Sequence, residues 1–596
     1  MALRALTVDL PAGELREELP AHVERDYLDG RGAIAWLMLN RLPPDTAHFA
    51  PENLLIFAAG PLVGLTSVAE GGFVVGTRSP LTGAIGYSWA QGQWGAALRQ
   101  SGTDLLVIKG QATEWSYLIV DAEGTQLRSA SHLLGLDTKA TAAALSAELG
   151  ADYRVLCLGP AGEADVAYSA IVAEGRHMAE PAGTGAVMAN KRLKAIAVRG
   201  GGPLPAYDVP KLTVAQTIIR RRAANSPLVA GLRQNGSAYL LGRAAAIGGL
   251  SEHNGKVGRL SDGLPRLIAA LPLLSRNLDR GSDETLLAAY LEFIRPNGER
   301  SPFPQLEIIA GFARCGITGL HALITIGDLC LRLGLDPAAS SAMISFLMEC
   351  QEEGLDQSET LPYGNEEAVL TALRSLGVRR ERRDVLSLGV GEIFDIFWGG
   401  EAFAPQVKGL AMPGLDPRGL NGIALATATA PIGGDYRYAM NYEELVEEPP
   451  SWLPEAAAAP YETNGKVLRL IWHERIAAIL DSAGLCRRLG LMAYQISPVE
   501  LQAMIAATGT SYNGSDLVRL GERIVTAERL FARRYSDNGG SDGLPERYMT
   551  TPLADGPAVG RLPPLSTMTA EYYRRHGWTT EGDPTAERLR ELRIEN

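Results

Sequence analysis

Short apolar runs bounded by turn residues dominate the first 200 positions of the chain. The runs occupy positions 53–59, 105–109, 117–120, 154–158 and 195–198. Several are followed directly by glycine or proline, as at Gly60-Pro61 and Gly159-Pro160. Apolar runs of this length between turn residues are typical of buried β-strands. Together with one helical stretch at 138–149, the pattern predicts a mixed α/β domain rich in sheet.

The hydrophobic period changes after the segment Gly200-Gly-Gly-Pro-Leu-Pro205. Beyond it, apolar residues recur every three or four positions, which is typical of amphipathic helices. Predicted helices cover positions 214–224, 284–294, 319–333, 340–351, 366–376, 466–483, 498–507 and 515–533. A second cluster of glycine and proline lies at 404–414. We therefore expect an α+β multidomain fold, with a sheet-rich N-terminal domain (1–205) followed by two mainly α-helical domains (206–405 and 406–596).

Charge and hydropathy exclude several classes of function. The chain has 56 Lys and Arg against 68 Asp and Glu, a formal net charge of −12, and an acidic chain repels phosphate backbones. It contains no run of about 18 uncharged apolar residues, so no membrane span is predicted. The N-terminal segment does not read as a secretory signal, and five cysteines do not make a disulfide framework. We expect a cytoplasmic protein that does not bind nucleic acid.

The common local motifs of catalysis are missing from the sequence. There is no Gly-x-x-x-x-Gly-Lys-Ser/Thr phosphate loop, no Gly-x-Ser-x-Gly elbow and no His-Glu-x-x-His zinc helix. The cysteines stand singly, at positions 157, 315, 330, 350 and 486. A structural zinc or a cysteine-ligated cluster needs several converging thiolates. No metal-ligating side chains are predicted.

Two kinds of glycine-containing segment remain as ligand-binding candidates. Glycine-rich turns, such as the one with Gly183 and Gly185, let the backbone approach a ligand closely, although such turns are also common in sheets without a ligand. Two predicted helices end in a similar pattern, Gly334-Leu-Asp336 and Asp481-Ser-Ala-Gly-Leu-Cys486. Glycine is a common helix cap, but a carboxylate such as Asp481 can also accept two hydrogen bonds from a ligand.

Taken together, these segments resemble the tungsten-containing aldehyde ferredoxin oxidoreductase family. The resemblance is collinear over nearly the whole chain, and its motifs include Gly30-Arg-Gly, Ser79-Pro-Leu-Thr-Gly83, Gly159-Pro-Ala-Gly-Glu163, Gly185-Ala-Val-Met188, Asp416-Pro-Arg-Gly419, Asp481-Ser-Ala-Gly-Leu-Cys486 and Leu544-Pro-Glu-Arg-Tyr548. It implies an N-terminal domain that holds a tungsten (or molybdenum) bis-pterin. Each helical domain presents one of the two helix-end segments, Gly334–Asp336 or Asp481–Cys486, to one pterin, and each of these segments is here called a clamp. The cofactor-binding residues that it implies are Gly183, Gly185, Gly334, Leu335, Asp336, Asp481, Gly484, Leu485 and Cys486.

The chain departs from the family at the cluster and at one clamp. Family members carry a Cys-x-x-Cys-x-x-x-Cys run for a 4Fe-4S cluster, but positions 254–304 contain no cysteine and only Cys486 matches a ligand. We therefore expect that the cluster is absent. Leu331 stands where the first clamp has Asp in the family. The loop Ala179-Glu-Pro-Ala-Gly183 stands where the family has an Arg flanked by glycines, and Glu180 in this loop would repel a nearby phosphate. The segment 70–73 lacks a further Arg. One clamp is intact and the other is half lost.

The resemblance also implies a general acid or base near the metal. Glu307 lies near the position of the family's Glu, and Tyr436 occupies the position of its His. Tyrosine is a much weaker base at neutral pH, so His473, in the helix before the intact clamp, is a third candidate. Each has a structural alternative: a buried ion pair for Glu307, a packed aromatic for Tyr436 and a solvated or interdomain face for His473.

Three functions remain open on the sequence. The first is a divergent tungsten or molybdenum pterin oxidoreductase that acts on an aldehyde or a related carbonyl compound. Without its own cluster it needs an electron-transfer partner subunit. The second is a non-catalytic, cofactor-poor paralogue that serves as a subunit of a larger complex, and the third is a cavity that holds a different ligand. Family members often form homodimers, but no self-complementary interface is identifiable in the sequence, so a homodimer is one option and the oligomeric state stays open.

Overall fold

The computed structural model describes most of the chain. The described residues are 3–69, 72–204, 206–274, 278–279, 287, 291–295, 298–356, 360–378, 385–393, 396–446, 448–457, 459–536 and 541–594. The expected α+β architecture is confirmed: a sheet-rich N-terminal part is followed by a mainly helical remainder. The precise domain limits at 205 and 405 stay predictions.

Two six-stranded sheets form the N-terminal part. The first has the order β2-β1-β6-β3-β4-β5 and the second the order β11-β10-β9-β12-β7-β8. The strands are β1 (Arg4–Asp9), β2 (Gly13–Glu18), β3 (Leu55–Ala58), β4 (Phe73–Arg78), β5 (Ile85–Ala90), β6 (Leu105–Lys109), β7 (Ser116–Asp121), β8 (Gly124–Ser129), β9 (Arg154–Leu158), β10 (Ile171–Ala173), β11 (His177–Ala179) and β12 (Leu193–Val198). All five predicted apolar runs are strands, because each buries side chains on both faces.

Each face of the first sheet has a different partner. Along β3, Leu55 and Phe57 enter the core between the two sheets, whereas Ile56 and Ala58 enter the core shared with the helices. This alternation is the two-residue period of a strand. The helices within this part are α1 (Ala21–Tyr27), α2 (Gly30–Arg41), α3 (Trp94–Gln100), α4 (Thr138–Leu149), α5 (Pro160–Glu163) and α6 (Thr184–Asn190). The first sheet is therefore the base on which the helical remainder packs.

The middle part of the chain is helical apart from a small sheet. Its helices are α7 (Val209–Ala224), α8 (Pro227–Asn235), α9 (Leu241–Ala246), α10 (Gly263–Leu274), α11 (Leu306–Ala313), α12 (Leu320–Leu333), α13 (Pro337–Glu352) and α14 (Glu366–Ser375). The small sheet contains β13 (Leu278–Asp279), β14 (Glu292–Ile294) and β15 (Arg300–Pro302). The predicted helix at 284–294 is wrong at its end, because β14 pairs antiparallel with β15. Positions 284–286 and 288–290 lie outside the described residues.

The last third packs its longest helices on the N-terminal base. Its elements are β16 (Gln406–Val407), β17 (Leu410–Ala411), α15 (Asn421–Thr429), α16 (Lys466–Ala483), α17 (Pro498–Ala506), α18 (Gly514–Tyr535), α19 (Glu546–Thr550), α20 (Leu565–His576) and α21 (Ala586–Glu591). Helices α2, α16 and α18 pack against one another. This contact brings the end of α16, with its predicted clamp, to the edge of the first sheet. Within the described residues, no helix is both long enough and apolar enough to cross a membrane.

Candidate functional site

A cavity of about 340 Å³ lies between the first sheet and the helical remainder. This volume falls at the lower end of the range for small-molecule sites. Its wall combines apolar surface with three carboxyl groups, those of Glu180, Glu307 and Asp481, and with four arginines. The arginines are Arg176, Arg437, Arg487 and Arg488. A cavity with this many guanidinium groups is suited to a ligand that carries negative charge.

The predicted clamp after α16 lines the cavity. Asp481, Gly484, Leu485 and Cys486 all contribute to the wall. The helix ends at Gly484, whose φ of 75° is a left-handed conformation that favours glycine. A Cβ placed on Gly60, in the loop after β3, would stand 2.2 Å from the backbone nitrogen of Gly484. Glycine at position 60 thus allows the two backbones to meet and fixes the clamp on the sheet.

Asp481 is held from three sides. Its Oδ2 accepts hydrogen bonds from Arg31 Nη1 at 3.2 Å and from Trp89 Nε1 at 3.0 Å. Its Oδ1 lies 3.2 Å from Arg487 Nε. Burial raises the pKa of Asp481, and the guanidinium groups of Arg487 and Arg31 oppose that shift. Both direct hydrogen bonds go to Oδ2, whereas Oδ1 is paired with the Arg487 guanidinium group.

Arg31 connects the clamp to the core of the helical part. Its side chain is fully buried and donates to both oxygens of Glu528, from Nε at 2.8 Å and from Nη2 at 2.9 Å. Glu528 also accepts a short hydrogen bond from the Tyr438 hydroxyl, and Arg31 stacks 4.2 Å from the Tyr438 ring centroid. The two carboxylates thus share one buried cation, and this network sets the position of Asp481.

The other predicted clamp is used for packing. Gly334 ends α12 with a φ of 71°, against the backbone of Gly159. Asp336 caps α13, because its Oδ1 accepts from the backbone nitrogens of Ala338 and Ala339 at 2.8 and 3.3 Å. Gly334, Leu335 and Asp336 are not among the described residues that line the cavity. The Asp481 clamp thus lines the cavity and the Asp336 clamp does not, within the described residues, and the assignment of both to cofactor binding stays a prediction.

Gly183 and Gly185 also lie away from the cavity wall as the structure describes it. A Cβ on Gly183 would stand 2.6 Å from the carbonyl oxygen of Ala167, and one on Gly185 would stand 2.5 Å from that of Ser169. These glycines allow the start of α6 to pack closely on its neighbours. Their assignment to cofactor binding stays a prediction.

The structure brings two of the three acid–base candidates together. Glu307, at the start of α11, lines the cavity and accepts a short hydrogen bond from the Tyr442 hydroxyl. Burial raises the pKa of Glu307, and the Arg437 charge opposes that shift. Tyr436 is buried with its ring centroid 5.7 Å from that of Tyr442. It is not among the described residues of the wall, and its hydroxyl has no hydrogen-bond partner in the described part of the chain.

His473 lies apart from Glu307 and Tyr436. It is fully buried, and its Nε2 lies 3.2 Å from the hydroxyl of Tyr494. Burial lowers the pKa of His473 to about 4. It does not line the cavity among the described residues, so the structure places it in the core and not on the solvated or interdomain face weighed as its alternative.

The cysteines do not converge in space. All five are buried thiols, and of these Cys486 lines the cavity. Among the described residues, no group of three or more His, Cys, Asp or Glu side chains is placed to hold a metal ion.

Sequence reasoning missed the arginines and the indole that surround Asp481. Arg487 and Arg488 directly follow the clamp motif, so their position beside the predicted site is visible in the sequence. Arg31 and Trp89 lie about 450 and 390 positions before Asp481, so no spacing in the sequence indicates these contacts. The Arg487 guanidinium stacks 4.2 Å from the Trp89 ring centroid. These groups make the clamp a charged pocket with one aromatic face.

Comparison with known protein families identifies two matching regions. The family model "Aldehyde ferredoxin oxidoreductase, N-terminal domain" matches residues 5–200, and the model "Aldehyde ferredoxin oxidoreductase, domains 2 & 3" matches residues 289–594. Together the two matched regions cover more than half of the chain and extend across all of its parts.

Similar proteins span the same length. Tungsten-containing aldehyde ferredoxin oxidoreductases are 30% identical in Thermococcus kodakarensis and 31% identical in Pyrococcus furiosus, each over 99% of this chain and 98% of the relative. The "Aliphatic sulfonate oxidoreductase, WOR-like subunit" of Pyrococcus furiosus is 24% identical over 99% of this chain and 96% of the relative.

A solved structure has the same fold. The active site complex BamBC of benzoyl coenzyme A reductase, in complex with 1,5 dienoyl-CoA, superposes with a TM-score of 0.84. The match has 22% sequence identity and covers 99% of this chain and 96% of the other. At this identity the likeness concerns the fold, and function has to be argued from the site.

Proposed function

The chain belongs to the aldehyde ferredoxin oxidoreductase family, and from this premise we propose that it is an oxidoreductase that acts on an aldehyde or a related carbonyl compound. The cavity beside Asp481 is the proposed site of this reaction. The observation that carries the proposal is the position of Glu307, a half-buried carboxyl group on the wall of the same cavity as the Asp481 clamp. A carboxyl group whose pKa is raised by burial is suited to proton transfer near neutral pH.

We further propose a tungsten (or molybdenum) pterin cofactor on the Asp481 side. The residues there fit such a group. Asp481 lines the cavity, and the buried Arg487 Nε, which lies 3.2 Å from Asp481 Oδ1, makes no aligned hydrogen bond within the described residues. Arg176 and Arg488 add positive charge for phosphate oxygens. When bound, the group supplies a metal centre that takes up the electron pair from the substrate.

The Asp336 side does not support a second pterin in the same way. Asp336 caps a helix and is not among the described residues of the wall, while Glu180, from the loop where the family has an arginine, lines the wall. A carboxyl group there disfavours a phosphate. The expectation of a bis-pterin thus rests on the family for this half of the site. This observation also favours the second candidate function, a cofactor-poor subunit of a larger complex.

In this proposal, residues of the cavity wall transfer the proton and orient the bound molecules. Glu307 holds or accepts the proton that moves as the carbonyl group reacts, and the Tyr442 hydroxyl fixes its orientation. Asp481 and Arg487, on the wall of the same cavity, orient the bound group. The apolar part of the wall excludes water and strengthens these polar contacts.

We propose that the chain lacks its own 4Fe-4S cluster and passes electrons to a partner subunit. Positions 254–304 contain no cysteine, and the single thiolate of Cys486 cannot hold a four-iron cluster. One relative is itself described as a subunit, which supports a partner for this chain. The cytoplasmic location and the homodimer stay predictions.

An aldehyde panel tests the proposed reaction. The anaerobically purified protein is mixed with aliphatic and aromatic aldehydes and a viologen dye, and dye reduction is followed by absorbance. We expect reduction that depends on both aldehyde and protein. No reduction with any aldehyde by protein that carries its metal would contradict the oxidoreductase proposal, and the same protein without aldehyde is the control.

A further inference from the structure

A second cavity, of about 490 Å³, lies beside α16 and between α17 and α18. It is here called the α16 groove and is defined by Leu468, Trp472 and Ile476 of α16, Val499 of α17 and Val518 of α18. Within the described residues, the groove and the cavity of the proposed reaction have no wall residue in common. The groove is therefore a separate place on the molecule.

Helix α16 is apolar on more than one face. Leu470 and Ala477 are buried in the main hydrophobic core. Leu468, Trp472 and Ile476, which recur every four positions along another face, line the groove and are only half-buried. A helix that is hydrophobic all round is normally covered on all sides. The face of α16 in the groove thus lacks the cover that its composition predicts, within the part of the chain that the structure describes.

Apolar surface continues from the groove to its rim. Val499 is 73% exposed and Val518 is 45% exposed, and both line the groove. Single exposed apolar residues are common, but a group of them around a cavity is typical of a binding site. The wall therefore favours a ligand with a hydrocarbon part.

The charged part of the wall is positive. Arg475, Arg574 and Arg575 line the groove, whereas no aspartate or glutamate is among the described residues of its wall. Arg475 pairs with Glu522. Arg574 and Arg575 share the carboxylate of Glu571, at 3.9 and 2.8 Å, so this pair keeps a surplus of positive charge. On a chain of net charge −12, such a wall is complementary to a ligand with an anionic group.

The dimensions of the groove favour a narrow chain over a peptide helix. Leu468 and Ile479 both line it, and α16 rises about 16 Å between them. A helix with its side chains is about 10 Å across, so a length of about 16 Å would occupy about 1,000 Å³ or more. This is about twice the volume of the groove, which lies instead in the range of small-molecule sites.

We propose that the α16 groove binds a free aliphatic carboxylate. Its hydrocarbon chain lies along Leu468, Trp472 and Ile476, and its carboxylate group pairs with Arg574 and Arg575. Burial of the chain supplies most of the affinity, and the guanidinium groups orient the carboxylate. This site goes beyond the proposed oxidoreductase and does not depend on it.

Isothermal titration calorimetry with decanoate, below the concentration at which it forms micelles, tests the site. We expect one decanoate per chain. Decyltrimethylammonium, which has the same chain length and the opposite charge, binds at least about 10-fold more weakly. Arg574→Gln/Arg575→Gln weakens decanoate binding about 10-fold or more, because it removes charge-assisted hydrogen bonds. Val518→Trp, at an exposed position of the rim, places an indole in the groove and weakens binding to a similar extent.

A brominated fatty acid locates the bound chain. Bromine quenches the fluorescence of an indole that it touches, so ω-bromodecanoate is expected to quench a component of the wild-type emission that is missing in Trp472→Phe. The matched control is Arg16→Gln/Arg128→Gln, which removes two partly exposed arginines on β2 and β8. It changes the net charge by the same amount and leaves decanoate binding unchanged.

Four results would overturn the proposal. The first is a wild type that does not bind decanoate, and the second is wild-type affinity in both groove variants. The third is a wild-type dimer, seen by light scattering, that Val518→Trp dissociates, because the groove would then hold a second copy of the chain. The fourth is sedimentation with phosphatidylglycerol vesicles without decanoate binding, which would indicate a membrane surface. Circular dichroism verifies that each variant is folded.

The binding measurements are independent of the proposed function, since they need neither a metal nor an aldehyde. Decanoate binding without aldehyde-dependent dye reduction would leave the groove assigned and refute the oxidoreductase. Dye reduction by protein that does not bind decanoate would do the reverse.

Discussion

Replacing Glu307 by glutamine lowers the kcat of aldehyde oxidation by about 10²–10⁴-fold, the usual contribution of a positioned acid or base. Glutamine keeps the size of the side chain and its acceptor for the Tyr442 hydroxyl but cannot transfer the proton. Glu307 is half-buried on the cavity wall and is oriented by the Tyr442 hydroxyl, and a bulk water molecule lacks this positioning. The measurement is steady-state dye reduction at equal metal content.

Tyr442→Phe is the matched variant for Glu307. In the wild type, the Tyr442 hydroxyl donates to Glu307 and lowers the pKa of that carboxyl group. Removing the hydroxyl therefore raises the pKa of Glu307, and the acid limb of the pH–rate profile moves to higher pH. Activity near the wild-type value in Glu307→Gln would show that another group moves the proton. An unchanged profile in Tyr442→Phe would contradict the contact between them.

Replacing Arg31 by methionine destabilises the protein by about 3–5 kcal/mol, the cost of removing one partner of a buried ion pair. Methionine fills much of the space, but Glu528 and Asp481 lose their shared cation. Because Arg31 opposes the rise in the pKa of Asp481, its removal also favours the protonated form of Asp481. Urea unfolding followed by tryptophan fluorescence measures the change in the free energy of unfolding.

Two further variants test whether the loss of stability comes from the buried Arg31 network or from the removal of any charged side chain. Arg41→Met removes a partly exposed ion pair with Glu17 and is expected to cost at most about 1 kcal/mol. The double variant Arg31→Met/Glu528→Gln recovers part of the loss, since it removes one of the unpaired carboxylates. A stability of Arg31→Met equal to that of the wild type would contradict the role of Arg31.

Much of the fold was predictable where the apolar spacing and the capping residues of an element lie within its own segment of sequence. Helix α16 covers 466–483 as predicted, because its apolar spacing is regular and glycine stands at both ends. Helix α7 begins at Val209, five positions before the prediction, because Asp208 caps it and Pro210 occupies its first turn. The apolar spacing predicts a helix at β14, but the segment is a strand, because its conformation is determined by pairing with β15 and not by local spacing.

Two candidates from the sequence lie on the cavity wall: the local motif after α16 and the single residue Glu307. Asp481, Gly484, Leu485 and Cys486 lie within six positions and all line the cavity. The Asp336 segment has a similar pattern, yet it is not among the described residues of the wall, whereas Glu180 and Arg437 are. Nothing in the sequence indicates which of two similar helix ends faces a cavity. That choice is made by tertiary contacts over hundreds of positions.

Elemental analysis of the anaerobically purified protein, combined with pterin fluorescence after oxidation, measures the bound cofactor most directly. We expect tungsten or molybdenum near one atom per chain, an oxidised-pterin signal and iron at the background level. A four-iron content with a cluster absorption band would contradict the loss of the cluster. Protein without tungsten, molybdenum or pterin would contradict the catalytic proposal and leave a cofactor-poor member of the family.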